Sequence, residues 1–466
     1  MKFRGSTQAV HRRLGRGILL VVAGVLALPA SVAAQEWLHD RRNSEGPGIM
    51  LSDSVVFHPG IAIEGGYDTN VWYHSTEAGI VGSGRLRITP QLSLATLPPQ
   101  RIENPDGTTS MTNPSVDFRL AAASPVNLYL SADSTYSSQL LNQSDVGIQT
   151  TLDLTVFPRR TWSFLLRDTY TRTIDPGNDS SRATFNRDYN DAQLGIRWAP
   201  GGGAFEMNML AGFSFNLYEE GEFLSQVGNY LAPRGSITGR WRFFPNTALT
   251  FETTAGYNAK LSNGESWGTG VWAMPISSSV PVRAWLGLNG QWTPVIATQL
   301  RIGYGAGFYS YGEDFDSALA QAEVDFIIGP NGRLKLGFIR DFVDSFFSNF
   351  YVRNEGYVGW DHLFSGVFLI GAKLGVSYMQ YATLYNAAVP PVPVAVGSPN
   401  PRNDVRLTGT LFMEYRLKDW LGFNATVTYE QNFTDFQWDP TFSPPAGTQT
   451  EDYWKLVALL GARIIY

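Results

Sequence analysis

Five arginines in the middle third of the chain, Arg234, Arg240, Arg242, Arg283 and Arg301, are each flanked by apolar or small residues. Six carboxylates, Glu206, Glu252, Glu323, Asp325, Glu355 and Glu414, recur in similar alternating stretches. In an extended strand successive side chains point to opposite faces, so these charges share one face and their apolar neighbours the other. Charges of both signs around a common space can set a transverse field that favours polar or ionic solutes. Their plainer use is to pair with one another and hydrate a wall. Trp285, Tyr309, Tyr351, Tyr357 and Tyr453 fall on the same face. Such rings can stack on sugars, or simply fill volume near a rim.

Bond-making chemistry has little to work with. Outside the first 34 residues the histidines are His39, His58, His74 and His362, with His362 expected in a short turn. No Ser/His/Asp set falls together and no metal-ligand spacing occurs. The glycines read as strand and turn residues, not as a phosphate loop. With no cysteine, disulfides and thiolate metal sites are excluded. The expectation is a non-enzyme with no cofactor.

The elements that must carry the charged face are strands. In AFEMNMLAGFSFNL, Phe205, Met207, Met209, Ala211, Phe213, Phe215 and Leu217 alternate with Glu206, Asn208, Ser214 and Asn216. GRLRITPQLSLAT sets Leu86, Ile88, Leu92 and Leu94 against Arg85, Arg87, Gln91 and Ser93. The chain ends on YWKLVALLGARIIY, with Trp454, Leu456, Ala458, Leu460, Ala462, Ile464 and Tyr466 on one face and Lys455 and Arg463 on the other. Strand periodicity thus runs to the final residue, where soluble domains usually fray. We expect Trp454, Leu456, Leu460, Ile464 and Tyr466 to form the signal read by a barrel-assembly machinery.

Residues 1–17 contain Lys2, Arg4, Arg12, Arg13 and Arg16 and no acid; an apolar run, Ile18–Ala30, and the small-residue site SVAAQ follow. This is the pattern of a secretion signal, cleaved near Ala34–Gln35. Without it the chain holds 30 basic and 41 acidic residues, a net charge of −11. That balance argues against a nucleic-acid partner, whose affinity rests on basic surface. No later run reaches 18 apolar residues, so no membrane-crossing helix is expected.

Short turns at 158–160, 199–203, 244–246, 293–297, 329–333, 362–366 and 417–420 alternate with longer polar loops, the longest at 261–281 and 387–402. The pattern predicts an all-β, antiparallel up-and-down transmembrane barrel of about 18 strands, short turns periplasmic and long loops outside. That count requires residues 115–137 to be one strand kinked at Pro125 and 98–114 to be an unusually long turn; sixteen strands is the alternative. The expected organisation is a signal peptide (1–34), a short periplasmic segment (35–57) and a barrel (58–466). There is no room for the plug and larger barrel of a TonB-dependent receptor, and the inner face is too charged for a fatty-acid transporter.

GYDTNVWY (Gly66–Tyr73) followed by GRLRITPQLSLAT (Gly84–Thr96) resembles the beta-barrel porin 2 family of outer-membrane proteins, and the general likeness extends over residues 58–466. Pro125 departs from the unbroken strand expected of the family. The resemblance implies an 18-stranded bacterial outer-membrane barrel with a periplasmic C-terminus, serving as exit port for exopolysaccharide or capsule. It implies a polysaccharide substrate and a periplasmic polysaccharide-export protein as partner. It brings no catalytic residues, and Asp68, Asn70 and Tyr73 are expected to shape the first loop. The alternatives are a passive diffusion porin for small polar solutes and an adhesin or structural barrel with a blocked lumen.

Overall fold

The computed structural model describes residues 46–466 except 77–78, 98–100, 104–108, 112–113, 132–134, 175–185, 220–224, 226, 263–265, 268–273, 346–347, 386–396 and 439–449. The expected signal peptide and residues 35–45 of the segment 35–57 lie outside the described residues, as do large parts of the two longest loops.

Eighteen antiparallel strands close into one barrel. In chain order they are β1 (Val55–Asp68), β2 (Ser83–Thr96), β3 (Val116–Ala123 and Val126–Leu130), β4 (Asp145–Val146 and Ile148–Val156), β5 (Trp162–Thr173), β6 (Arg187–Trp198), β7 (Phe205–Tyr218), β8 (Tyr230–Phe244) and β9 (Thr247–Gly256). The second half comprises β10 (Ser279–Thr293), β11 (Ile296–Tyr309), β12 (Phe315–Ile328), β13 (Gly332–Asp344), β14 (Phe350–Phe364), β15 (Phe368–Tyr381), β16 (Asn403–Lys418), β17 (Leu421–Thr434) and β18 (Tyr453–Ile465). β18 returns to β1, from Gly60 opposite Ile465 to Asp68 opposite Val457, so no open edge remains there. The barrel begins at Val55, slightly before the expected residue 58. A short strand, Ile49–Ser52, pairs with its start.

The kink at Pro125 has a local cause. β3 pairs with β2 in one register on both sides of the break, Leu92 opposite Ala122 and Ile88 opposite Val126. At the break two prolines lack N–H groups, so the ladder is kept from the other side. Ser124 N–H donates to the Pro90 carbonyl at 2.9 Å and Gly147 N–H to the Pro125 carbonyl at 2.7 Å. The long turn after β2 carries a small hairpin, Arg101–Glu103 with Thr109–Met111. A one-and-a-half-turn helix, α1 (Ser137–Asn142), lies between β3 and β4.

The outward faces are apolar. Ile302 and Leu460 are each 70 % exposed, an arrangement suited to lipid and costly in water. At the short-turn end the outer wall carries aromatic contacts: Trp162 on Trp198 at 6.0 Å, Trp198 on Phe205 at 5.6 Å, and Trp360, His362 and Phe364 in succession. Rings with a polar edge belong at such a boundary. His362 is therefore a strand residue of β14 within this belt and not part of a turn. Leu456, Leu460, Ile464 and Tyr466 alternate with buried Lys455 and Arg463, as the pattern requires.

Inside, an ionic network braces the place where the barrel closes. Arg463 of β18 and Arg416 of β16 both donate to Glu414, at 2.6 and 3.0 Å. Arg87 of β2 and Asn424 of β17 both donate to Glu64 of β1, at 2.6 and 2.7 Å. Glu414 is fully buried, so its removal strands two guanidinium groups without their carboxylate. We expect Glu414→Ala to lower stability by about 3–5 kcal/mol, read as the urea midpoint at which the folded band is lost on an unheated gel. Glu414→Gln, which keeps an acceptor, should lose less.

Candidate functional site: a charged lumen in two chambers

Alternation fixes which side chains enter the lumen, and neighbouring registers fix their heights. On β7 to β10 the inward positions run Glu206 beside Arg240, Arg240 beside Thr250, and Glu252 beside Trp285. Above them lies a cavity of about 1030 Å³, and towards the short-turn end a second of about 310 Å³. Thr238 and Glu252 line both, so the chambers meet at that pair.

The expected charges are present in the lumen as pairs, not as opposed arcs. Arg234 meets Asp191; Arg240 meets Glu206 at 2.9 Å; Arg301 meets Glu252. Arg283 reaches Asp341 at 3.0 Å, Lys335 reaches Glu323 at 2.7 Å and Asp325 at 3.9 Å, and Arg353 reaches Glu355 at 3.4 Å. Long cationic side chains on an inner wall readily span to acids on adjacent strands, and pairing relieves the cost of leaving water. Arg242, opposite Ala248, is the last residue before a register shift at the short-turn end, and it is exposed.

The aromatic residues divide. Trp285 lies in the lower chamber with the Arg301 guanidinium 4.7 Å from its ring centre. Tyr351 lines the upper cavity and meets Tyr381 at 5.2 Å. Tyr357 is buried and donates to Glu323 at 2.8 Å, Tyr309 donates to Asp344 at 2.6 Å, and Tyr453 donates to Glu430 at 2.5 Å. These last three serve the wall's hydrogen bonds.

Two bodies of side chains narrow the long-loop end. The first is built by the DTNVWYH stretch after β1. Asp68 accepts from the Asn70 N–H at 3.1 Å and pairs with Lys455 at 3.1 Å. The Asn70 amide donates to the carbonyls of His74 and Trp454 at 2.8 and 2.9 Å and accepts from the His74 N–H at 2.9 Å. Val71 and Trp72 are thereby pressed onto Tyr129 and Leu140 in a buried cluster. Tyr73 alone of the motif faces the upper cavity. The second body groups Phe315, Leu319, Phe342, Phe350 and Ala382.

Sequence reasoning did not single out Arg187 or Lys260. Both line the upper cavity. Arg187 donates to the Tyr218 hydroxyl at 3.3 Å, and Lys260 to the Val227 carbonyl at 2.7 Å. The cavity wall presents eight cations: Arg167, Arg187, Arg234, Lys260 and Arg283 on one side, and Arg353, Arg402 and Arg406 on the other. It presents five carboxylates, those of Glu252, Asp341, Asp344, Glu355 and Glu430. Some balancing acids stand behind the wall, Asp404 being fully buried against Arg402. Six of the eight cations pair with acids, Arg167 with Asp153, Arg234 with Asp191, Arg283 with Asp341, Arg353 with Glu355, Arg402 with Asp404 and Arg406 with Glu430, so the positive excess rests on Arg187 and Lys260, which are held by neutral oxygens.

A closed barrel with an apolar outer wall, an aromatic belt and a charged lumen is the architecture of a transmembrane β-barrel. No family model and no curated protein matches the chain. Among solved structures it is similar to the outer-membrane protein OpdK of Pseudomonas aeruginosa, with 11% identity over 88% of this chain and 99% of that one, TM-score 0.44. It is also similar to OccAB4 of Acinetobacter baumannii, with 10% identity, 88% and 98% coverage and TM-score 0.44. A third is the FrpB iron transporter of Neisseria meningitidis, with 8% identity, 89% and 82% coverage and TM-score 0.42. What this lumen admits is read from its own residues.

Lys260 ends a two-residue strand, Ala259–Lys260, that pairs with Tyr230 and Leu231 at the outer end of β8, and burial pushes its ammonium down to about 8, with Asp344 only partly offsetting that. The wall therefore loses one positive charge as pH rises through that value. Anion-over-cation permeability should fall with a midpoint near pH 8 in the native protein and stay flat across that range in Lys260→Met. Reversal potentials in a salt gradient check this. The linked effect on stability has a definite sign. An unfolded lysine holds its proton up to about 10.5, so stability should rise between about pH 8 and about 10.5 as the buried amine becomes neutral.

Proposed function

We propose that this protein is a diffusion channel of the bacterial outer membrane for small polar solutes, with a preference for anions. The observation that carries the reading is the two-chambered lumen, narrowed by inward-folded side chains and positive at its upper wall. Paired charges keep that wall wetted without presenting a deep trap, as conduction requires weak and repeated contacts. The expected periplasmic C-terminus follows the usual side for short turns.

The narrowing favours small solutes over a passing polymer. Neither the comparisons nor a residue of the lumen supports export of a polysaccharide, or a periplasmic export partner, as the main reading. Tyr73, Tyr189, Tyr218, Tyr230, Tyr351 and Tyr381 do line the upper cavity and would suit stacking on planar or sugar rings. That feature is compatible with small aromatic or sugar acids as solutes.

In proteoliposomes, the purified barrel should admit small organic anions faster than size-matched cations, and should exclude oligosaccharides of several rings. Arg187→Gln combined with Lys260→Met should reduce the anion preference while leaving the folded yield unchanged. A deletion strain should keep its surface polysaccharide. Loss of one surface glycan, restored by complementation, would instead return the reading to an export port.

A further inference from the structure

The outer end of β13 disobeys its own sequence pattern. Leu334, Leu336 and Phe338 form an outward stripe, and by alternation Arg340 and then Phe342 follow on the same face. Phe342 is instead fully buried, its ring 4.1 Å from Phe315 in a stacked arrangement. The cause lies in the pairing. β12 and β13 are joined from Ile328 opposite Gly332 up to Ala320 opposite Arg340, and no further. β13 and β14 stay joined to Asp344 opposite Phe350. The top of this hairpin has left β12 and bent into the lumen.

The bent segment is held by a strand three places away. From β10, Arg283 donates to the Phe342 carbonyl at 2.6 Å and to Asp341 at 3.0 Å, and its guanidinium lies 4.1 Å from the Phe342 ring centre. Asp344 accepts from Ser279 at 2.7 Å, from Tyr309 at 2.6 Å and from Asn258. Space for the ring comes from β11, where a Cβ on Gly305 or Gly307 would stand 2.9 or 3.1 Å from it. On the wall, Arg340 spans the split. It donates to the Ala318 carbonyl at 3.2 Å, to Ser317 at 3.3 Å and to Asn354 at 2.8 Å.

We propose that residues 341–345 are a gate strand with two stations. In the docked station seen here, Phe342, Asp341 and Asp344 narrow the upper chamber. In the zipped station the register with β12 continues outward, Asp341 opposite Leu319 and Val343 opposite Ser317, and Phe342 turns to lipid. Each station makes bonds that the other gives up: the docked one holds the two carboxylates and Arg283, and the zipped one pairs the main chain of Phe315–Leu319 with β13, where Arg340 reaches the Ala318 carbonyl in the docked form. Two arrangements that trade one set of bonds for another form a bistable element of the kind channels gate with. Zipping withdraws the segment from the lumen and widens it. The effect on current rests on the channel reading above; the movement itself does not.

The chain has no cysteine, so engineered pairs report without background. Ser317→Cys with Val343→Cys places two thiols on facing positions only in the zipped station, where cross-strand Cβ atoms come within disulfide reach. Under a mild oxidant this variant should lose both free thiols by mass and show a raised single-channel conductance that reverts on reduction. Gly305→Leu, which denies the ring its seat, should show raised conductance without oxidant. Asp344→Cys with Ser279→Cys, bridged by a short bifunctional thiol reagent, should hold the low-conductance form.

If Ser317→Cys/Val343→Cys folds, alkylates fully and never forms the bond, the gate strand is refuted. A bond that forms with no change in conductance refutes gating. A native barrel that carries no current, yet in which the bond forms, sinks the channel reading while the movement stands.

Discussion

Every main-chain N–H and C=O that passes through lipid must find its partner within the protein. The rest of this structure depends on that one constraint. Eighteen strands answer it by pairing each with the next, and β18 completes the circuit by pairing with β1. Closure makes the outer face a continuous apolar wall and the inner face an enclosed polar space. Where a proline removes a donor, as at Pro90 and Pro125, the ladder survives because the facing residue donates in its place. Where the ladder does fail, between β12 and β13, a guanidinium from Arg340 occupies the breach.

The enclosed space has its own constraint. Charges brought to a partly dehydrated wall are costly alone, so those named above are matched by a neighbour of opposite sign or by a phenol, hydroxyl or carbonyl. This is why the same residue types serve both structure and selectivity. Glu414 and Arg463 brace the closure, whereas Arg187 and Lys260, partnered by neutral groups, leave positive potential in the upper chamber. The distinction lies in the partner, which no strand pattern reveals.

That is also the boundary of what the sequence could tell. Alternation points to the barrel, the lipid face of the last strand and the inward position of residues such as Arg240 and Glu252, and the order of short and long turns leads to about 18 strands with a kink at Pro125, sixteen being the alternative. A period of two carries facing, and facing is all these assignments need. Pairing between strands depends on register, so charges read as opposed arcs are instead adjacent couples such as Arg240 with Glu206. His362, read as a turn residue, belongs to the aromatic belt because β14 runs longer than the turn signal suggested. Lys260 stands outside any alternating stretch, and nothing in its neighbours announced a buried amine.

Phe342 is the position where pattern and structure disagree most plainly, and it adjoins the upper chamber. A sequence whose local preference points one way while its packing points another has two arrangements available, and such conflicts in natural proteins gather at functional places. The glycines at 303, 305 and 307 of β11 bear on this. Three inward positions without a side chain would leave a trough in a plain barrel wall, a poor use of a surface that must stay packed or wet. The Trp285 ring lies over Gly303, and the Phe342 ring, with Leu319 and Tyr309, lies over Gly305 and Gly307, so the trough becomes part of a core with Phe315.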